Sequence, residues 1–85
     1  MIEPAQIRAA RALLGWRQED LSMESRVGIA TIRRIENTDK DARGHVSTYA
    51  RIQTALEAAG VLFIDDDGTA GIGVRLIKTK KKKRR

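Results

Sequence analysis

The chain has no cysteine, one histidine, one proline and one each of tryptophan, tyrosine and phenylalanine in 85 residues. Without thiols there are no disulfides and no thiolate metal sites. His45 stands alone, with no second histidine or cysteine to complete a ligand set, so no metal and no cofactor are expected. No apolar run approaches the roughly 18 residues that cross a bilayer, and no membrane association is expected. Met1-Ile2-Glu3-Pro4 offers neither a basic n-region nor a following apolar h-region, so a signal peptide is not expected. A soluble, intracellular protein is the expectation. Ser22, Ser25 and Ser47 belong to no nucleophile motif, which argues against an enzyme. Asp65-Asp66-Asp67-Gly68 lacks the later bidentate glutamate of a calcium loop and reads as a solvated turn.

What is present is enough for one small domain. Hydrophobic residues make up 41 % of the chain, and chains of this size gain stability from a partner subunit. The net charge of +6 is unevenly placed. Residues 1–77 carry ten Lys+Arg against eleven Asp+Glu, a net of −1, whereas Lys78-Thr79-Lys80-Lys81-Lys82-Lys83-Arg84-Arg85 contributes +7. The basic character belongs to a tail, and charge alone says nothing of the body.

Pro4 suits a first helical turn, and Ile7, Ala10 and Leu14 recur at helical spacing, which predicts a helix over 4–14 ended by Gly15. Trp16 falls between this helix and a second, over Gln18–Glu24, whose Glu19 and Asp20 favour the positive helix end. Arg17 occupies its N-cap, a poor choice there. Ser25-Arg26-Val27-Gly28 reads as a turn before a third helix, Ile29–Glu36. The polar stretch 37–45 is a loop, and Ser47 or Thr48 caps a fourth helix with Tyr49, Ile52, Leu56 and Ala59 on its apolar stripe. After Gly60 the period changes. Val61-Leu62-Phe63-Ile64 and Val74-Arg75-Leu76-Ile77 read as two strands of a hairpin joined by a turn-rich connection.

Two short helices joined by a tight turn, with Leu21, Val27, Ile32 and Ile35 inward and Arg33 and Arg34 outward, suit presentation of one helix to the DNA major groove. Arginine binds guanine edges bidentately or holds phosphates; the competing reading is two solvated surface charges. Ile29, four residues before Arg33, suits either a thymine methyl or a protein partner.

With Arg11, Gly15-Trp16, Gln18-Glu19-Asp20-Leu21 and Ala30-Thr31-Ile32-Arg33-Arg34-Ile35-Glu36 in this order, residues 4–59 resemble the Xre-type, lambda-repressor-like helix-turn-helix family. The four helices expected over 1–60 make a mainly α domain, and the resemblance implies four or five helices, with the third in the major groove and Gln18 near a phosphate. It also implies a structural ion pair between Arg11 and Glu36. The chain departs from the family pattern at four places. Arg17 replaces a Ser or Thr cap, and Arg26 replaces the turn glycine, so a left-handed non-glycine residue is expected there. Gly28 and Ile29 replace a hydroxyl and a polar or basic residue. The hairpin 61–77 stands where many members have a fifth helix.

The expected DNA-contacting set is Arg17, Gln18, Gly28, Ile29, Ala30, Thr31, Arg33, Arg34 and Arg43, with Arg26 adding a backbone contact. The expected partners are double-stranded DNA and a second copy, with Val61, Leu62, Phe63, Ile64, Val74 and Leu76 dimerising. The alternative is a protein-interaction module, antitoxin-like or antiactivator, with weak DNA binding. Residues 78–85 are expected to be a disordered basic tail, open to three readings: a DNA-following arm, a general polyanion binder, or a solubilising end.

Overall fold

Pro4 opens helix α1 (Pro4–Leu14), where its missing N–H is no loss. Glu3, the extended residue before it, donates its backbone N–H to Gln6 Oε1 at 2.9 Å, so the helix start is closed from its own first turn. Gly15 ends α1 in the left-handed conformation at φ 71°. The computed structural model describes residues 1–38 and 46–78, and within them the protein is mainly α: α1, α2 (Gln18–Ser25), α3 (Ile29–Glu36), α4 (Val46–Ala58), then strands β1 (Val61–Ile64) and β2 (Gly73–Leu76).

Arg17 makes no side-chain cap to α2. Its own N–H is instead accepted by the N3 side chain, Asp20 Oδ2, at 2.8 Å, the half of a capping box that does not need a cap side chain. The α2–α3 turn is held by two serines. Ser25 Oγ donates to Leu21 O at 2.7 Å and accepts the Val27 N–H at 3.2 Å, while Ser22 Oγ donates to Val27 O at 2.7 Å. Between them Arg26 is left-handed at φ 62°, a strained conformation for a residue with a Cβ.

The core joins Ile7 and Ala10 of α1, Leu21 of α2, Val27 of the turn, Ile32 and Ile35 of α3, Tyr49, Ile52 and Leu56 of α4, and Val61 of β1. Trp16 is half-buried against this cluster. β1 and β2 pair antiparallel, with Val61 opposite Leu76 and Ile64 opposite Gly73. The hairpin is fastened by a buried side chain: Gln6 Nε2 donates to Ile64 O at 3.2 Å and to Gly73 O at 3.0 Å. An isolated two-stranded hairpin is marginal in water, so this anchor and the packing of Val61, Phe63 and Val74 on the helices are what hold it.

Three boundaries differ from the sequence reading. α2 runs one residue further, because the Arg26 backbone N–H still reaches Ser22 O at 2.9 Å. α4 begins at Val46, so Ser47 and Thr48 lie in its first turn, and it ends at Ala58. β2 begins one residue earlier, at Gly73, although Ile77 N–H still reaches Gly60 O at 2.8 Å. Arg43 and the residues of the basic tail after Lys78 lie outside the described residues. Among the described residues no helix is long and apolar enough to cross a membrane, and no group of three or more acidic, histidine or cysteine residues is placed to hold a metal.

The six side chains expected to dimerise differ in exposure. Val61 is only 1 % exposed and belongs to its own chain's core. Phe63 and Val74 pack against that core, and Ile64 is half-buried. Of the six, Leu62 and Leu76 are largely exposed. Strand alternation explains Leu62, which lies on the face opposite Val61 and Phe63; Leu76 shares the Val61 face by register and is exposed as the last residue of β2.

Candidate nucleic-acid interface

Helix α3 has two sharply different sides. Successive residues turn by about 100° around an α-helix, which sets Ile32, Ile35 and Glu36 together and buried. Ala30, Arg33, Arg34 and Asn37 occupy the opposite arc and are exposed, with the two arginines flanking Ala30. Ile29 and Thr31 sit half-buried at the margins. Neither Arg33 nor Arg34 makes a side-chain hydrogen bond or ion pair among the described residues.

The helix is gripped from behind through Glu36. Arg11 Nε donates to Glu36 Oε2 at 2.8 Å and Arg11 Nη2 to Oε1 at 2.7 Å, a bidentate pair. The Glu36 side chain is 2 % exposed and that of Arg11 20 %. A third donor, Gln18 Nε2, reaches Oε1 at 3.1 Å. Arg11 Nη1 continues to Trp16 O at 3.0 Å, so one guanidinium joins α1, the α1–α2 connection and α3. The bond to Glu36 raises the Arg11 pKa above its ordinary value, against partial desolvation, with the Glu36 and Glu19 charges adding to the rise. Arg8 closes the far end of α3, with Nη1 donating to Glu36 O at 2.6 Å.

The N-terminal end of α3 is bare. Gly28 is its N-cap at φ −57°, and no side chain caps the helix. A Cβ at Gly28 would meet nothing within 4 Å, so neither backbone conformation nor packing requires glycine there. Among the described residues no N-cap side chain covers the first N–H groups of α3, and helix N-termini attract anions.

The expected contact residues thus fall into distinct groups. Arg33, Arg34 and Ala30 share the outward arc of α3, with Gly28 exposed at its start. Arg17 is exposed at the start of α2. Gln18 has one amide hydrogen engaged by Glu36 and is half-buried. Sequence reasoning missed Asn37, which extends the outward arc, although its spacing of four from Arg33 is a readable signal. It also missed Arg8, whose spacing of three from Arg11 puts both on one face of α1. Glu19 and Glu24 on α2 are exposed; Glu24 lines a cleft with Arg26 and Arg51 rather than the outward arc of α3.

The chain matches no model of a known protein family and no curated protein sequence.

Proposed function

We propose that this protein is a sequence-specific DNA-binding transcriptional regulator of the Xre-type, lambda-repressor-like kind. It acts in the bacterial cytoplasm as a small homodimer on operator DNA, with α3 in the major groove. The observation that carries this reading is the two-sidedness of α3. Glu36 is clamped inward by Arg11 while Arg33 and Arg34 stand outward, their guanidiniums unengaged by any of the described residues. A rigidly seated helix offering free arginines is what direct reading of base edges needs. The bare N-terminus at Gly28 adds room for a phosphate to approach backbone N–H groups. A two-fold dimer sets half-sites roughly 34 Å, about 10 bp, apart.

The test is fluorescence anisotropy with DNA from upstream of the protein's own gene and with a scrambled copy, comparing the full chain with residues 1–77. The expected result is that 1–77 keeps its preference for the upstream DNA and that the tail adds affinity equally on both, with a steep salt dependence. Loss of all binding with the tail, and no preference in either form, refutes the reading.

A second reading, a protein-interaction module of the same fold, is favoured by Gln18, whose amide is turned to Glu36, and by Ile29, which stands where a polar contact would serve DNA. Ile29→Arg separates the two: it preserves or improves DNA binding in the first and breaks partner binding in the second.

A further inference from the structure

The hairpin carries more unsatisfied geometry than its small size suggests. Because Ile77 N–H bonds to Gly60 O, residues 60 and 77 form a bonded pair, and the constant register makes 62–75 and 64–73 bonded pairs as well. The intervening pairs, Val61–Leu76 and Phe63–Val74, therefore turn their N–H and C=O groups outward from the ribbon. No backbone hydrogen bond outside the hairpin engages Val74 or Leu76 among the described residues. Gln6 reaches the ribbon through the carbonyls of the bonded pair Ile64–Gly73, which leaves the outward groups of β2 untouched. The exposed aliphatics also favour this strand: Leu76 and Ile77 at its end and Ile72 just before it, against Leu62 alone on β1.

We propose that the β2 edge is the docking surface for a second copy of this chain, with β2 pairing antiparallel to β2 of the partner about a two-fold axis at Leu76. This deepens the homodimer part of the functional reading and rests on it. An open strand edge bearing apolar side chains is a template for another strand, and a two-fold pairing satisfies both copies with one contact.

Charge selects the occupant and the register. The hairpin is acidic at one end, where Asp65, Asp66 and Asp67 form the turn, and basic at the other, where Lys78 opens a run of seven cations in eight residues. Antiparallel pairing brings Lys78 of each copy to the side of its partner's acidic turn. Parallel pairing would set like charges together. Among the antiparallel registers that match outward groups, centring on residue 75 sets Arg75 directly against Arg75 of the partner, a destabilising like-charge pair. Centring on Val74 puts at the axis a side chain already packed against its own core, whereas Leu76 is exposed. Centring on Leu76 sets Leu76 against its own copy and Arg75 against Ile77, and aims Lys78 towards the acidic turn.

The test is sedimentation of the full chain without DNA, together with single-cysteine cross-linking, for which the native chain offers a thiol-free background. Facing residues of a bonded pair lie about 5.5 Å apart at Cα, within disulfide range. The expected results are a dimer that weakens in high salt, and disulfide-linked dimer forming several-fold faster in Leu76→Cys than in the similarly exposed Leu62→Cys. Leu76→Pro, which removes an outward N–H and no bond within the hairpin, is expected to sediment as a folded monomer. A monomeric native chain, equal cross-linking at both positions, or a folded Leu76→Pro that remains dimeric overturns the proposal. If Leu76→Pro does not fold, the cysteine comparison alone decides. A dimer that meets these expectations but shows no DNA preference leaves this interface standing and removes only the DNA reading.

Discussion

Arg11 and Glu36, 25 residues apart in sequence, meet through two parallel hydrogen bonds of 2.8 and 2.7 Å and set the orientation of α3 against α1. Removing Arg11 alone leaves a nearly fully buried carboxylate without its counter-charge. Arg11→Met is expected to cost about 3–5 kcal/mol, read as a lower midpoint in urea unfolding. The double variant Arg11→Met/Glu36→Leu should recover part of that loss, because two apolar groups need no charge partner. A double variant less stable than Arg11→Met would contradict this account.

Gln6 should prove to be the main fastening of the hairpin. Gln6→Leu keeps the bulk but removes the two bonds to Ile64 O and Gly73 O and the one closing the start of α1. The expected loss is about 0.5–1.5 kcal/mol for each bond removed, because both carbonyls keep their cross-strand donors. Amide exchange of β1 and β2 should accelerate more than that of α2 and α4. Uniform acceleration across the chain would show that the hairpin is held by packing alone.

Arg26 is left-handed at φ 62°, and its backbone C=O is reached only distantly, by Arg51 Nη1 at 3.5 Å. Arg26→Gly should therefore stabilise the fold by about 1 kcal/mol, since glycine adopts this conformation without a Cβ clash. Thermal unfolding reads the sign directly. A destabilised Arg26→Gly would show that the arginine side chain contributes more than its backbone costs.

The acidic turn carries a local pH response. The Asp67 carboxylate accepts the N–H groups of Ala70 at 2.8 Å and Thr69 at 2.9 Å, and these bonds hold its pKa below the usual aspartate value. A folded-state value below the unfolded one means that the turn's stabilisation is complete above the unfolded pKa, about 3.9, and is lost as pH falls through the lower folded value. The amide shifts of Thr69 and Ala70 should titrate together, with a midpoint below that of the same loop in an unstructured peptide. Equal midpoints would rule out these bonds in solution.

On cognate DNA, Arg33→Ala or Arg34→Ala should each cost about 1–3 kcal/mol if the guanidinium reads a base, and should relax preference at one position. A loss equal on all sequences would assign that arginine to a phosphate instead.

The four helices and the hairpin were legible because periodicity reports which residues must leave water. Ile7, Ala10 and Leu14, then Ile32 and Ile35, then Tyr49, Ile52 and Leu56 could hardly be arranged otherwise. The Arg33–Arg34 face follows from the same periodicity, since burying one side of a helix exposes the other. The partnership of Arg11 with Glu36 was suggested by family resemblance, because no local spacing links residues so far apart. Boundaries were less legible: α2 runs through Ser25 because Arg26, though left-handed, still closes a backbone bond to Ser22 O, which a turn-forming residue type does not announce.

By itself, then, the sequence determined the helical segments, the inward stripes, the outward arginines and the separation of a near-neutral body from a basic end. Only the tertiary structure decided that Gln18 turns its amide to Glu36, that Gln6 holds the hairpin, and that Val61 lies in the core while Leu76 remains at an open edge. The reason is the range of the forces involved. Hydrophobic periodicity acts along each segment and is written locally, whereas a polar side chain's partner depends on which distant backbone or carboxylate the packed helices bring within hydrogen-bond reach.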